Sequence, residues 1–321
     1  MMLFFPCVFF TTYIYGTLLS MALSMASIYC LIRFLNRKNM VINAVGVVVF
    51  CTMASLAKNN AIIFAIAEII VIFLSFKKED LFKGILIKVG LILSIMLLLF
   101  LSSKAVDVGL KRYTGRDEVG TPKISWVAMG LQSGGPAEGW YNFYNRDVYW
   151  DNNCDTKIAK SLALESVKES LCDYFHHPLN AWKFFSRKII SSWANPSFET
   201  LNLLQQSNSN NPNTEMKRNL LKSFILWHSA DKSVDRTHVG LNIYLKIYEL
   251  AILFGAIVML FMKRLNSSNC VFIIAFIGGF LFHLFWETGS QYMFTYFVIL
   301  IPYGVYGISL LNEGKTANKK G

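Results

Sequence analysis

Charged residues are scarce in this chain: only 16% of its 321 residues are Asp, Glu, Lys or Arg, against about 25% in an ordinary soluble domain. So little charge cannot coat a large globule with polar surface, which excludes a water-soluble protein of this size. The six cysteines show none of the paired spacings of a zinc site. Ser, His and Asp form no nucleophile pattern, and the glycines of Gly130–Gly135 lack the strand and lysine of a phosphate-cradling loop. His176 and His177 adjoin Pro178 at a helix end, where they read as structural residues.

The sequence is instead rich in apolar residues, 54% of the total. They gather in runs near the length of about 20 residues that a helix needs to cross hydrocarbon. The clear runs are Val41–Leu56, Ala61–Phe76, Gly84–Leu101, Tyr244–Met262, Val271–Trp286 and Tyr292–Leu311, with a further helix expected over Leu18–Leu35. They are too continuously apolar for barrel strands, so the backbone must satisfy itself as helices. The expected fold class is an all-α polytopic membrane protein of about seven complete spans. Residues 1–103 form a transmembrane region of one partial or re-entrant segment and four spans. Residues 104–240 form a mainly helical extracytoplasmic domain, 241–311 three transmembrane helices, and 312–321 a basic cytoplasmic tail.

The net charge of +11 is spread rather than concentrated on one surface, which argues against nucleic acid. Arg33, Arg37 and Lys38 follow one span and Lys77, Lys78 and Lys83 another. Lys263 and Arg264 follow a third, and Lys315, Lys319 and Lys320 close the chain. Placing all four clusters in the cytoplasm gives an alternation of spans without contradiction, the positive-inside pattern. The long polar segment then lies outside, at a cell membrane. Cys154 and Cys172 share it, and either a disulfide or two thiols fits.

The opening is unusual. Met1–Thr12 rises only about 18 Å as a helix, against a core of about 30 Å, and lacks a signal peptide's basic leader and cleavage site. It reads as a re-entrant segment or, preferably, the tail of a longer helix. In the polar segment, helical spacing covers Ser161–Phe175 through Leu164, Val167, Leu171 and Phe175. A second helix, Ala181–Trp193, aligns Trp182, Phe185, Ile189 and Trp193 beside Lys183, Arg187 and Lys188. Gln205–Thr214 reads as a loop.

Candidate binding residues fall at three places. The first is Lys58, in a turn of almost no length between two spans, where an ammonium sits near lipid headgroups. The second is the stretch holding Trp126, Trp140, Tyr141, Asn142 and Asp147. Its aromatic rings and polar groups suit a sugar or other polar acceptor, although interfacial anchoring explains them as well. The third is Glu287, Gln291 and Tyr292, in another short turn. Ionisable groups at such depth are costly unless they meet water, a partner or a substrate; a snorkelling lysine and a hydrated glutamate are the simpler alternative.

Several stretches resemble the later part of polytopic glycosyltransferases of the GT-C type, related to protein mannosyltransferases. They are Phe5-Pro6 with Thr12-Tyr13-Ile14-Tyr15-Gly16, Lys58-Asn59-Asn60-Ala61, Trp126 to Gly130-Leu131 with Gly139-Trp140-Tyr141-Asn142, and His177-Pro178 through Trp193. The last is Trp286-Glu287 with Ser290-Gln291-Tyr292 and Pro302-Tyr303. The resemblance implies transfer of a sugar from a polyprenyl-phosphate carrier to a glycan, lipid or protein acceptor outside the membrane. Lys58 matches the basic residue expected near the carrier phosphate. Gln291 stands where relatives often have arginine, which weakens phosphate binding there. The family's catalytic carboxylate belongs to a first outer loop that does not appear after Met1, so no catalytic residue is assigned. No cofactor is demanded, although a divalent ion beside the phosphate is compatible. A transporter of lipid-linked sugars and a non-catalytic membrane assembly subunit are the competing readings. The latter expects Lys58, Glu287 and the Trp126–Asp147 stretch to lie apart.

Overall fold

The computed structural model describes residues 4–11, 16–76, 82–115, 120–200, 236–262 and 270–317. Among them there is no strand, and the chain folds as helices in two compact units. The larger unit comprises residues 15–189 and 265–289, and the smaller 1–14, 190–264 and 290–321.

In the larger unit, helices α2 (Gly16–Leu35), α3 (Met40–Ala57), α4 (Ile62–Leu74) and α5 (Phe82–Thr114) follow one another. Alpha-2 and α3 pack most extensively. Their backbones approach so closely that a side chain at Gly16 would strike the Ala57 carbonyl and one at Gly46 the Cys30 sulfur. Alpha-3 ends at Lys58, whose extended backbone turns into a 3-10 turn, Asn59–Ala61, that leads into α4. The carbonyl of Ser75, at the other end of α4, accepts from Lys88 Nζ of α5 at 2.7 Å, a cation on a helix C-terminus.

Alpha-5 buries only Leu91 and Ile95. Leu86, Leu93, Leu97 and Phe100 are each more than half exposed, an apolar surface that needs lipid rather than water around it. Alpha-5 also runs on to Thr114, past the change of composition at Lys104. A helix ladder needs only residues that tolerate it, and Lys, Ala, Leu and Arg are good helix formers.

The polar part of the larger unit contains α6 (Ile124–Gly130), α7 (Tyr144–Trp150), α8 (Thr156–His176) and, up to Ile189, α9 (Pro178–Trp193), and α11 (Val271–Phe285) completes it. Asp155 caps α8, its Oδ1 accepting from Lys157 N at 2.8 Å and Ile158 N at 3.1 Å. The expected apolar face of α8 is largely exposed, Phe175 at 86% and Leu171 at 45%. Its packed face is instead the small one, Ala159 and Ala163. On α9 the expected face is likewise displaced: Trp182 is 74% exposed, while Phe184, Lys188 and Ser192 are buried. Alpha-8 also separates the two cysteines of the polar segment. Cys172 lies about 24 Å of helix beyond Thr156, too far for a bridge to Cys154, and both are free thiols.

In the smaller unit, α10 (Arg236–Phe261) and α12 (Ser290–Ala317) pack along each other. Side chains at Gly255 and Gly307 would each enter the other helix's backbone, the close approach that small residues permit in membranes. The opening segment forms a short helix, α1 (Phe5–Phe10), and packs here. Phe4 stacks on Tyr248 at 5.1 Å, and Phe10 on Phe294 at 4.1 Å.

Among the described residues, five helical stretches are long and apolar enough to span: Gly16–Leu35, Met40–Ala57, Phe82–Thr114, Gly240–Phe261 and Ser290–Leu311. The chain is therefore a helical, multi-pass membrane protein. The count falls below the seven spans expected, because Asn59–Leu74 and Val271–Phe285 are apolar but shorter. Lys77, Lys78, Lys263, Arg264 and the Gln205–Thr214 loop lie outside the described residues.

Candidate functional site

The larger unit gathers Lys58, Lys188, Glu287 and His283. Lys58 leaves the end of α3 half-buried and donates from Nζ to Thr17 Oγ1, at the start of α2, at 2.7 Å. Burial pulls its pKa down to about 8, with the charge of Glu287 opposing. Glu287 is 8% exposed, in the turn after α11. The Glu287 carbonyl contacts His283 Nδ1 at 3.2 Å.

The turn carrying Glu287 is fixed by the polar segment. Its N–H donates to the Trp126 carbonyl at 3.0 Å, and the Thr288 N–H donates to Gly139 O at 2.9 Å. Thr288 and Trp140 form an isolated parallel bridge. Two glycines make this fit possible. A Cβ at Gly130 would collide with the backbone of Phe285, Trp286 and Glu287. Gly139, at φ +69°, would place its Cβ 2.6 Å from Lys188 Cε and 2.7 Å from Gly130 O.

Lys188 locks the assembly. It is 1% exposed, and Nζ donates to Gly130 O and, at 2.9 Å each, to Leu284 O and Trp286 O. Those carbonyls end α6 and α11, where four acceptors per helix lack intrahelical donors and the dipoles leave negative potential. One ammonium thus terminates two helices. Burial pulls Lys188 down to about 7, again with Glu287 opposing; three carbonyl acceptors also favour the ammonium.

The expected candidates separate into three groups. Lys58 and Glu287 are within electrostatic reach of each other, and Trp126 and Trp140 hold the Glu287 turn through backbone contacts. Tyr141, Asn142 and Asp147 belong to a neighbouring network. Asn142 Nδ2 donates to Gln132 Oε1 at 3.2 Å, while its Oδ1 accepts from Tyr144 N, at the start of α7, at 3.0 Å. Asp147 pairs with Arg146 at 2.7 Å, and Tyr141 is 40% exposed with its ring edge-on to Phe143. Gln291 and Tyr292 open α12 in the smaller unit. There Glu199 Oε1 accepts from the Ser290 N–H and hydroxyl, both at 3.0 Å. Burial raises the Glu199 pKa against those hydrogen bonds and one from the Gln291 backbone.

Beside the clamp, an open cleft of about 610 Å³ lies between the stretch after α6 and helices α8 and α9. Gln132, Ser133 and Glu138 line one side, Glu169 and Asp173 a second, and Lys183 with Arg187 a third. It presents acids, bases, amides and hydroxyls over a sugar-sized volume.

Lys188 is the central residue that sequence reasoning missed, because it stood beside the exposed cations Lys183 and Arg187. The usable signal was its spacing of four from both Phe184 and Ser192. Comparison with protein-family models, curated proteins and solved structures finds no match.

Proposed function

We propose that this chain is a membrane glycosyltransferase component of GT-C type, acting on a polyprenyl-phosphate-linked sugar at the outer face of the cell membrane. The observation that carries the reading is Lys58, within electrostatic reach of Glu287, at the end of a membrane helix and in the same unit as the turn anchored by Trp126 and Trp140. An ammonium at a bilayer surface, half-buried and held by the Thr17 hydroxyl, is suited to a lipid phosphate. The open cleft at Gln132, Glu138 and Asp173 serves the glycan, lipid or protein acceptor.

In the chemistry implied, an acceptor oxygen bonds to the anomeric carbon as the bond from that carbon to the phosphate oxygen breaks, with inversion. A carboxylate takes the acceptor proton, and the charge that gathers on the departing phosphate faces Lys58. Glu287, within electrostatic reach of both Lys58 and Lys188, is not taken as the base. The base itself is not assigned to a residue of this chain.

Binding tests the reading directly. The full chain in lipid nanodiscs is expected to take up polyprenyl phosphate in preference to the corresponding polyprenol, measured by native mass spectrometry. Loss of one charge-assisted contact is worth about 1.5–3 kcal/mol, so Lys58→Ala should weaken phosphate binding roughly 10- to 100-fold. Lys58→Arg should retain most of it. The ammonium attracts the anion, so affinity declines as pH rises through about 8 and Lys58 loses its charge. Equal binding of phosphate and alcohol, or an unaffected Lys58→Ala variant, overturns the proposal.

A carrier of lipid-linked sugars is the second reading, and one observation favours it: a row of buried hydroxyls along α2 that leads from Lys58 toward Glu68.

A further inference from the structure

Thr17, Ser20, Ser24 and Ser27 succeed one another along α2 and are 3%, 5%, 1% and 0% exposed. Helix neighbours three or four residues apart have Cβ atoms about 5–6 Å apart, a gap that one water molecule bridges. From Thr17 to Ser27 the helix rises about 15 Å, half of a hydrocarbon core of about 30 Å. Lys58 donates to Thr17 at one end of the row. At the other end Ser27 Oγ lies 3.0 Å from Glu68 Oε2 and 3.1 Å from the Val47 carbonyl. Glu68 is wholly buried.

Small residues between membrane helices often serve only close packing. Two atoms do not fit that account: Glu68 Oε1 and Ser24 Oγ are buried and make no hydrogen bond among the described residues. The contacts of Ser27 add a constraint, since a hydroxyl has one proton and cannot donate to both Glu68 and Val47. Both contacts become hydrogen bonds when the carboxyl carries a proton. Glu68 Oε2–H then donates to Ser27 Oγ, and Ser27 donates onward to Val47 O. An ionised carboxylate would leave one contact unmade and a charge in the apolar interior.

We propose that Glu68 is a proton-binding site inside the helix bundle, exchanging with solvent at the Lys58 end along Thr17, Ser20, Ser24 and Ser27. Water between Ser24 and Glu68 Oε1 completes the path. The titratable groups in electrostatic reach of Glu68 are Cys30 of α2 and Cys51 of α3. His283 of α11 faces the charges of Lys188 and Lys58 instead, and Lys88 of α5 is held at the Ser75 carbonyl, about two turns along α4.

Infrared difference spectra of the full chain in lipid nanodiscs, wild type against Glu68→Gln, test the site without relying on sugar transfer. The expected result at neutral pH is a carboxylic-acid carbonyl band in wild type that Glu68→Gln removes and sodium leaves unchanged. Transfer to heavy water should shift that band, and Ser24→Leu should slow the shift at least about tenfold. Ser24→Ala, which removes the hydroxyl without adding bulk, should slow it in the same direction and stands in should the leucine variant fold poorly. Carboxylate bands alone, or a band abolished by sodium, overturn the proton site; unchanged exchange in the serine variants overturns the route. Retained polyprenyl-phosphate binding in Glu68→Gln keeps this result separate from the Lys58 site.

Discussion

Replacing Lys188 with methionine is expected to lower the unfolding free energy of the larger unit by roughly 3–5 kcal/mol, the cost of removing one partner from a buried charged contact. Methionine fills the same slot, so the loss is electrostatic rather than a cavity. The carbonyls of Gly130, Leu284 and Trp286 lose their shared donor at once, and Glu287 stays buried with one cation fewer. The thermal midpoint in detergent, followed for wild type and variant, reads the loss. Arginine is not a conservative rescue, because its planar fork does not reproduce three donors converging from one nitrogen. A midpoint unchanged in Lys188→Met would mean that the clamp contributes nothing to holding α6 against α11.

Adding one methyl at Gly130 should be nearly as damaging. Its Cβ has no space beside the backbone of Phe285, Trp286 and Glu287, and backbone cannot rotate away as a side-chain tip can. Over-packing in a formed core costs about 1–3 kcal/mol. The displaced turn also strains the Glu287 N–H bond to Trp126 O and the Lys188 bond to Gly130 O, so Gly130→Ala should reach about 3 kcal/mol or more. The variant should also bind polyprenyl phosphate less well with Lys58 intact, because the Glu287 charge within electrostatic reach of Lys58 has moved. Parallel thermal and binding measurements separate the effects: a lower midpoint with wild-type affinity would show that Lys58 works independently of the Glu287 turn.

The membrane helices were legible because lipid imposes a simple rule on composition. The apolar runs Val41–Leu56 and Leu18–Leu35 became helices Met40–Ala57 and Gly16–Leu35. The rule failed at α5, where hydrocarbon ends the apolar run but not the hydrogen-bond ladder, and at α8, where leucine spacing concealed a packed face of alanines. The candidate site was legible in part. Lys58 and Glu287 attracted notice as charges beside spans, and Trp126 and Trp140 as aromatics. What joins them is backbone: N–H groups of the Glu287 turn meeting carbonyls more than a hundred residues away in sequence. Backbone pairing of that range leaves no residue-type signal, apart from the glycines that let it happen. The burial of Lys188 was equally hidden, since it arises where the ends of two remote helices converge.

The Lys188 amine has a further property, in time rather than in energy. All three of its N–H directions are occupied by protein carbonyls and the side chain is 1% exposed, so an acylating reagent reaches it only after α6 and α11 part. Exposed Lys183, one turn away on the same helix, reacts without any such opening. The ratio of their labelling rates therefore clocks how often this part of the protein opens under native conditions, with the slow amine and its fast reference five residues apart in one chain.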